Sequence, residues 1–302
     1  MKRKVLISGG SGMIGRAITQ RLIALGDEVA WLTRSRESGT SLVHKFYWNP
    51  KTGEIDPASI LWATHMINLA GESIGEVAWT KEGKERILNS RIDAVQTIAR
   101  ALPTRTQPLE GFVGVSGVGI YGPGTVPFTE NGPTGNDFPA MVAKAWEDAY
   151  MAISPEFSHH KAVLRLAVVL STKGGALPRI MGPIQYGVGA VLGSGKQLFN
   201  WIHLYDAADA FVAALEWDGI FNLAAPQIID NREVTKEIAA AMDRPLLLPP
   251  VPAFALRFAL GDRSSLVLKG NSVEIKKLLA TGFRHRYPYF KGAIQHLIQM
   301  SA

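Results

Sequence analysis

The sequence predicts an α/β protein with a doubly wound parallel sheet and a smaller C-terminal lobe. Three observations predict it: a glycine-rich turn between an apolar run and a helical pattern near the N-terminus, further apolar runs that alternate with amphipathic stretches, and a change to glycine- and proline-rich composition after residue 170. Alternating strands and helices favour a parallel sheet with helices on both faces. The chain has 302 residues, enough for one large core or two unequal lobes.

The N-terminal region is predicted to form a β-α-β unit. Residues 5–7 are a short apolar run, and a helical spacing of apolar residues begins after Gly12 and ends at Gly26, a residue type that commonly closes a helix. Residues 28–33 form a second apolar strand. The unit therefore has the order and the length, about 30 residues, that a dinucleotide fingerprint requires.

The turn of this unit has the spacing of a dinucleotide-binding site. Gly10, Gly12 and Gly15 fit Gly-x-Gly-x-x-Gly, and Gly9 with the last two fits Gly-x-x-Gly-x-x-Gly. A side chain there would collide with the tight turn, with a pyrophosphate or with the packing of helix on strand. Backbone amides at the helix N-terminus then face the phosphates. The alternative is a glycine-rich turn without a ligand. The predicted contacts of the turn are Gly9, Ser11, Gly12, Met13, Ile14 and Gly15.

The end of the second predicted strand indicates which dinucleotide is bound. A Rossmann-type site for NAD(H) has an acidic residue there, whereas this chain has Thr33 and Arg34. A guanidinium suits a 2′-phosphate, and no carboxylate stands in this position to repel it. We therefore predict NADP(H) as the cofactor, with Arg34 as the main contact to the phosphate. The alternative is that Arg34 is a solvated surface residue.

A second group of small residues follows the predicted strand 65–69. Asn68, Leu69, Ala70 and Gly71 lie at its carboxyl end, where ligands bind in open α/β sheets. They would let the dinucleotide approach the backbone closely. The alternative is a plain turn at the end of a strand.

The remaining pattern divides the chain into two lobes. Residues 1–170, completed by about 202–225, are predicted to form the NADP(H)-binding lobe, and residues 171–201 and 226–302 the smaller substrate-binding lobe. The other predicted elements of the first lobe are strands at 65–69, 111–116 and 162–170 and helices at 81–101 and 140–153.

Composition and charge argue against several other kinds of site. The chain contains no cysteine, which excludes disulfides and thiolate nucleophiles, and its seven histidines show no metal-ligand spacing, so we expect no metal. Its net charge of +6 is scattered, without the aromatic interleaving typical of nucleic-acid binders. No apolar run approaches the ~18 residues of a membrane span. We expect a cytoplasmic protein with neither nucleic acid nor membrane as its partner.

Two sets of segments, each in order along the chain, carry a family resemblance. The first set is 9–15, 68–71, 116–122 and 201–206; the second is 78–80, Lys84, Ile87, Ser90, Arg91, 146–147, 193–197 and 244–245. The first set resembles the extended short-chain dehydrogenase/reductase superfamily, the branch that includes nucleotide-sugar epimerases. The second is similar to a subgroup named epimerase family proteins, and together the two sets span nearly the whole chain. The resemblance implies a Rossmann lobe with a smaller substrate lobe, NADP(H) as cofactor and a small polar substrate such as a nucleotide-linked metabolite.

The catalytic residues that the resemblance implies are not found. Members of the superfamily use a Ser or Thr with a Tyr-x-x-x-Lys pair, in which lysine lowers the pKa of the tyrosine and the phenolate acts as general base. Here the hydroxyl position falls on Gly117, and residues 137–147 contain no tyrosine. Ser116 and Tyr121, at the end of a predicted strand, are the candidate catalytic residues. Alternatively, Ser116 bonds to a turn amide and Tyr121 packs against the turn.

Lys84, Gln197 and Trp201 are candidates for the substrate pocket, because polar groups would orient a ligand and an aromatic ring would form a wall. Alternatively, Lys84 and Arg91, seven residues apart, form a solvated helix stripe, and Trp201 belongs to the core. Lys84 and Arg91 are also considered as replacements for the missing catalytic pair.

Two functions fit these observations. The first is an NADP(H)-dependent oxidoreductase or epimerase with an atypical mechanism that lacks the Tyr-x-x-x-Lys pair. The second is a non-catalytic NADP(H)-binding regulator, in which the redox state of the cofactor biases a partner interaction. The second lobe favours the enzyme, and an oligomer is compatible with both.

Overall fold

The computed structural model describes residues 2–35 and 43–300 of the chain. Strands and helices alternate through the first part of the chain, as the apolar pattern predicts. The strands are β1 (Lys4–Ser8), β2 (Glu28–Thr33), β3 (His44–Asn49), β4 (Glu54–Ile55), β5 (His65–Asn68), β6 (Leu109–Gly117), β7 (Ser158–Leu166), β8 (Val168–Leu170), β9 (Leu198–Phe199), β10 (Trp201–His203), β11 (Gly219–Leu223) and β12 (Ile229–Asp230). The helices are α1 (Met13–Ala24), α2 (Pro57–Trp62), α3 (Lys81–Ala101), α4 (Phe138–Met151), α5 (Leu177–Gln185), α6 (Leu204–Ala213), α7 (Asn231–Ala241), α8 (Ala253–Leu260), α9 (Ser265–Leu268), α10 (Lys276–Ala280) and α11 (Phe290–Gln299).

The chain divides into two compact units. The first comprises residues 1–120, 141–165 and 208–221, and the second comprises 121–140, 166–207 and 222–302. Segment 121–140 groups with the second unit, whereas the sequence pattern assigns it to the first lobe. The predicted domain boundaries stay a prediction.

A mostly parallel sheet of eight strands, in the order β11-β7-β6-β5-β1-β2-β3-β4, confirms the predicted fold class. β1 pairs in parallel with β2 on one side and with β5 on the other, and the parallel pairs β2–β3 and β5–β6 continue the sheet. The strand order therefore reverses at β1, and ligands bind at such switch points in open α/β sheets. The topology sets the carboxyl ends of β1 and β5 side by side.

The bounds of most predicted elements are close to the observed ones. β2 and α3 have the predicted bounds, β6 is longer than the predicted 111–116, and the predicted strand 162–170 is divided into β7 and β8 at Ala167. β3 is missing from the prediction, because Trp48 is its one buried residue and it shows neither alternation nor a continuous apolar run.

Trp201 lies in the hydrophobic core of the second unit, contrary to the prediction that it lines a pocket. Its side chain is fully buried, its ring is perpendicular to that of Phe290 with the ring centres 5.2 Å apart, and its indole N–H donates to the carbonyl of Gln227 at 3.2 Å. This core joins α5, α7 and α11. The alternative interpretation, core packing, is the one observed.

Among the described residues, no helix is both long and apolar enough to cross a membrane. Nor do residues 2–35 and 43–300 contain a group of three or more His, Asp or Glu side chains arranged to hold a metal ion.

Candidate functional site

The turn after β1 forms a cradle of backbone groups. Gly9 has φ +69°, which favours glycine, and Gly12 donates its N–H to the Gly9 carbonyl at 3.1 Å. A Cβ at Gly15 would lie 2.6 Å from Gly10 Cα and closer still to the Gly9 carbonyl oxygen. α1 then starts at Met13 with no side-chain cap and no acidic residue in its first turn. Its N-terminal amides are thus available to an anion.

A different contact explains Gly10. A Cβ at this position would lie 2.5 Å from Trp31 Nε1, because the indole of Trp31 on β2 covers the turn. That indole is fixed by a hydrogen bond from its N–H to Thr19 Oγ1 at 2.9 Å. Gly10 is therefore required by the packing of β2 and α1.

The end of β2 is cationic. Arg34 is exposed, and Thr33 Oγ1 accepts a hydrogen bond from the Ser35 N–H at 3.1 Å. The hydrogen bond from Arg86, assisted by the charges of Lys51 and Arg34, lowers the pKa of Glu72. Glu72 is therefore ionised and bound to Arg86 at 2.7 Å, and no acidic residue occupies described residues 29–35.

Side-chain hydrogen bonds join the carboxyl ends of β1 and β5. The Ser8 hydroxyl donates to Asn68 Oδ1, and the same hydroxyl accepts the Leu69 and Ala70 N–H groups at 3.2 and 3.3 Å. Asn68 Oδ1 also accepts from Ala70 at 3.2 Å. The structure thus brings the predicted loop 68–71 against the glycine-rich turn, since a Cβ on Gly9 would lie 3.1 Å from the Leu69 carbonyl carbon.

Ser116 and Tyr121 have different surroundings. Ser116, on β6, is buried and its hydroxyl makes no hydrogen bond with any described residue, so the alternative of a bond to a turn amide is wrong. Tyr121, in the second unit, donates to Asn222 Oδ1 at 2.6 Å and stacks on Phe128 with ring centres 5.0 Å apart. Tyr121 is therefore held by Asn222 and Phe128, and a catalytic role for it stays a prediction.

The sequence pattern misses Tyr150 on α4. Its ring lies over Gly114 of β6, where a Cβ would approach it to 2.6 Å, and its hydroxyl donates to the Asn68 carbonyl at 3.2 Å. Burial raises the pKa of Tyr150. The hydroxyl therefore holds its proton at neutral pH, which does not suit a general base.

Arg91 and Lys84 lie on α3, and they do not form the solvated stripe given as an alternative. Arg91 is only 8% exposed, and its Cζ lies 4.8 Å from the ring centre of Trp146. Burial lowers the pKa of Arg91 to about 10, so it remains charged at neutral pH. Lys84 is half-buried, with Nζ 5.9 Å from the ring centre of Trp79.

Gln197, in the second unit, has a structural role. Its side-chain amide nitrogen donates to the carbonyls of Leu192 and Val267, both at 2.9 Å. Both amide protons are therefore used within the unit, and the prediction that Gln197 lines a substrate pocket stays a prediction.

The sequence matches the model of the NAD dependent epimerase/dehydratase family over residues 5–224. The chain belongs to this family. Residues 251–297 also match a domain of unknown function, DUF1731. The resemblance given by the sequence motifs is thereby confirmed.

The chain is similar to the epimerase family protein SDR39U1 and to a nucleoside-diphosphate sugar epimerase. The epimerase family protein SDR39U1 of mouse is 33% identical over an alignment of 303 positions, which covers 98% of this chain and 99% of the relative. The crystal structure of human SDR39U1 (isoform 2) with NADPH superposes with a TM-score of 0.87 at 30% identity, covering 98% of this chain and 99% of that chain. A nucleoside-diphosphate sugar epimerase from Corynebacterium glutamicum has a TM-score of 0.77 at 26% identity, covering 99% of this chain and 58% of that chain.

Proposed function

We propose that this protein is an NADP(H)-dependent oxidoreductase or epimerase-like enzyme that acts on a small polar substrate. The observation that carries the proposal is the backbone cradle after β1 together with a cationic end of β2. The human relative that holds NADPH supports the same cofactor here. The sugar-nucleotide epimerase from C. glutamicum supports a nucleotide-linked substrate.

The residues of the first unit suit NADP(H). The turn amides around Gly12 and Gly15 would bind the pyrophosphate, aided by the dipole of α1. Arg34, exposed at the end of β2, would bind the 2′-phosphate in the bidentate geometry that guanidinium and phosphate share. When bound, the nicotinamide supplies or accepts a hydride.

Ser116 is the candidate for contact with the reacting group of the substrate. Its hydroxyl is buried near the carboxyl end of β6 and has no hydrogen-bond partner among the described residues. A hydroxyl kept unpaired at this cost, about 1–3 kcal/mol, suits a ligand oxygen that completes its hydrogen bonding. Tyr121, whose hydroxyl binds Asn222, is not part of this proposal.

One observation favours the second function, a non-catalytic NADP(H)-binding regulator. The hydroxyls of Tyr121 and Tyr150 are both bound inside the protein, and burial raises the pKa of Tyr150. Neither phenol is then suited to be the general base of the superfamily mechanism. A regulator would bind a partner differently with NADPH and with NADP⁺.

Calorimetry with NADPH and NADH tests the cofactor. We expect Arg34→Ala to weaken NADPH binding about 10- to 100-fold and to leave NADH binding unchanged, because only NADPH carries the 2′-phosphate. Lys45→Ala, which removes an exposed charge from the neighbouring strand β3, is the matched control and should change neither. Equal losses for both dinucleotides in Arg34→Ala would contradict the assignment.

A turnover measurement separates the two functions. The NADPH-loaded protein is given nucleotide-linked sugars, and consumption of NADPH or isomerisation of the sugar is followed. Ser116→Ala should lower turnover while NADPH affinity stays within about twofold, because the lost group binds substrate. No turnover at full NADPH occupancy, with partner capture that differs between NADPH and NADP⁺, would favour the regulator.

A further inference from the structure

Arg91 is a buried charged residue, and the proposed function does not use it. It lies on α3 in a stripe of residues that are otherwise apolar, Ile87, Ala94 and Ile98, each with no exposed surface. Its side chain reaches the loop after β5, where a Cβ on Gly71 would lie 3.0 Å from Arg91 Cγ. The guanidinium therefore stands beside the switch point of the sheet.

No carboxylate of residues 2–35 and 43–300 forms an ion pair with Arg91. Its Nη1–H donates to the Ile87 carbonyl at 2.7 Å, and its other N–H groups have no acceptor among the described residues, although none is sealed from solvent. A buried charge without a partner is costly, and buried arginines in proteins are normally paired. The state of Arg91 needs an explanation.

Arg165, also in the first unit, shows what a structural arginine looks like in this fold. It is buried to a similar extent, 5% exposed, and donates from Nε and Nη2 to both carboxylate oxygens of Glu147 at 2.8 and 2.7 Å. Among the residues that the structure describes, Arg91 has one backbone carbonyl as acceptor, whereas Arg165 has a bidentate carboxylate. The difference lies in the partner and not in the burial.

Trp146 and Gly71 hold the guanidinium of Arg91 without using its N–H groups. The indole ring covers it at 4.8 Å, and the missing side chain at Gly71 leaves room on the loop side. A guanidinium held in this way keeps a planar fork of donors whose geometry matches a carboxylate or a phosphate.

The Ser116 hydroxyl, which also lacks a hydrogen-bond partner among the described residues, lies under helix α4, the helix that carries Trp146. Gly114 of β6 faces the ring of Tyr150, so Ser116, two residues further along the strand, points to the same face of the sheet. Trp146, which covers Arg91, lies one turn before Tyr150 on α4. The Ser116 hydroxyl, which has no hydrogen-bond partner among the described residues, and the Arg91 guanidinium thus lie under one stretch of α4.

We propose that Arg91 binds an oxyanion, a carboxylate or phosphate group, of a ligand seated at the carboxyl ends of β5 and β6. The anion comes from the substrate or from the dinucleotide itself. The glycine-rich turn already offers amides to the pyrophosphate, which favours the substrate. That choice of source rests on the proposed function, whereas the oxyanion site does not. The substrate would then be an anionic metabolite. Arg91 would bind its charged group, and the Ser116 hydroxyl would form a hydrogen bond with one of its neutral oxygens.

Arginine side-chain NMR on the full-length protein tests the site directly. The Nε–Hε resonance of Arg91 is the one that disappears in Arg91→Lys, and that of Arg86, an exposed arginine on the same helix, is identified in Arg86→Lys as the matched control. Inorganic phosphate and acetate are titrated at constant ionic strength, without and with saturating NADPH. We expect a saturable shift of the Arg91 resonance, with binding at least about tenfold tighter than at Arg86.

The titrations without and with NADPH distinguish the two sources of the anion. A saturable shift that persists with NADPH bound supports a substrate oxyanion, and a shift that NADPH itself produces and then blocks supports a phosphate of the dinucleotide. If phosphate, acetate and NADPH all shift the Arg91 resonance no more than the Arg86 resonance, the proposal is wrong. Absence of NADPH binding by calorimetry would overturn the cofactor proposal alone, because the anion titration without cofactor is read independently.

A stability measurement supplies a second test that does not need the resonance. In Arg91→Met, which keeps a long apolar stem, the melting temperature of the ligand-free protein should be unchanged or higher, and the stabilisation by phosphate should be lost. Arg165→Met, the matched control, should melt lower because it leaves Glu147 buried without a partner. A lower melting temperature for Arg91→Met with the phosphate response intact would show that Arg91 is structural.

Discussion

Replacing Gly15 by alanine tests the cradle after β1. The added Cβ would lie 2.6 Å from Gly10 Cα, whereas real Cβ contacts stay beyond 3.0 Å, so the turn or the start of α1 must move by at least about 0.4 Å. The atoms in the way are backbone atoms of the turn, which cannot swing aside as a side chain would. Overpacking of this kind costs about 1–3 kcal/mol of unfolding free energy. The same movement takes the amides of the turn away from the phosphates.

The assay is urea denaturation combined with NADPH titration of Gly15→Ala and two graded controls. Gly12→Ala places a Cβ 3.3 Å from the Gly9 carbonyl and should cost less, and Gly292→Ala, on α11 with no heavy atom within 4 Å, should stabilise by about 0.5–1 kcal/mol. We expect Gly15→Ala to lose both stability and NADPH affinity. Wild-type NADPH affinity in Gly15→Ala would refute the assignment of the turn.

Two further predictions concern groups away from the cradle. Glu147→Gln should lower the free energy of unfolding, measured by urea denaturation, by about 3–5 kcal/mol, because it leaves the buried Arg165 without a charged partner. The exposed pair Lys144–Asp148 on the same helix provides the control. Lys144→Gln should lower the free energy of unfolding by less than about 1 kcal/mol. Burial, with the charges of His296 and Arg286, lowers the pKa of His203 to about 3. The unfolded chain therefore takes up this proton at higher pH than the folded chain, and stability falls as the pH drops from about 6.5 towards 3. His203→Asn keeps an acceptor for the Tyr205 N–H. It should reduce the slope of the unfolding free energy against pH by about 1.4 kcal/mol per pH unit between pH 4 and 6. An equal slope in the variant and the wild type would contradict the lowered pKa of His203.

The sheet and the turn after β1 were predictable because they depend on local pattern. Continuous apolar runs identify buried parallel strands, and helical spacing identifies α3 with its bounds. The glycines of the turn follow from a geometry that is the same wherever a strand, a tight turn and a helix meet. β3 was not predicted because five of its six residues are exposed or half-buried, which leaves no apolar pattern to detect.

The surroundings of the candidate catalytic groups depend on contacts between distant segments. The bond from Tyr121 to Asn222 joins residues 101 positions apart, and the bond from Tyr150 to Asn68 joins residues 82 apart, so neither follows from spacing. Arg91 did leave a signal in the sequence. It interrupts an apolar stripe on α3 at the spacing of Ile87 and Ala94, which indicates a buried position. Only the structure shows that no carboxylate in the described part of the chain forms an ion pair with it.

The indole that covers Gly10 has a consequence for evolution within the family. Because Trp31 occupies the space that a Cβ at position 10 would need, the two positions should covary among relatives. A relative with alanine or serine at the position of Gly10 should have a smaller residue at that of Trp31, irrespective of which dinucleotide it binds. The residue type at position 10 would then depend on the side chain of the neighbouring strand, whereas Gly9 and Gly15 are required by the backbone of the turn itself.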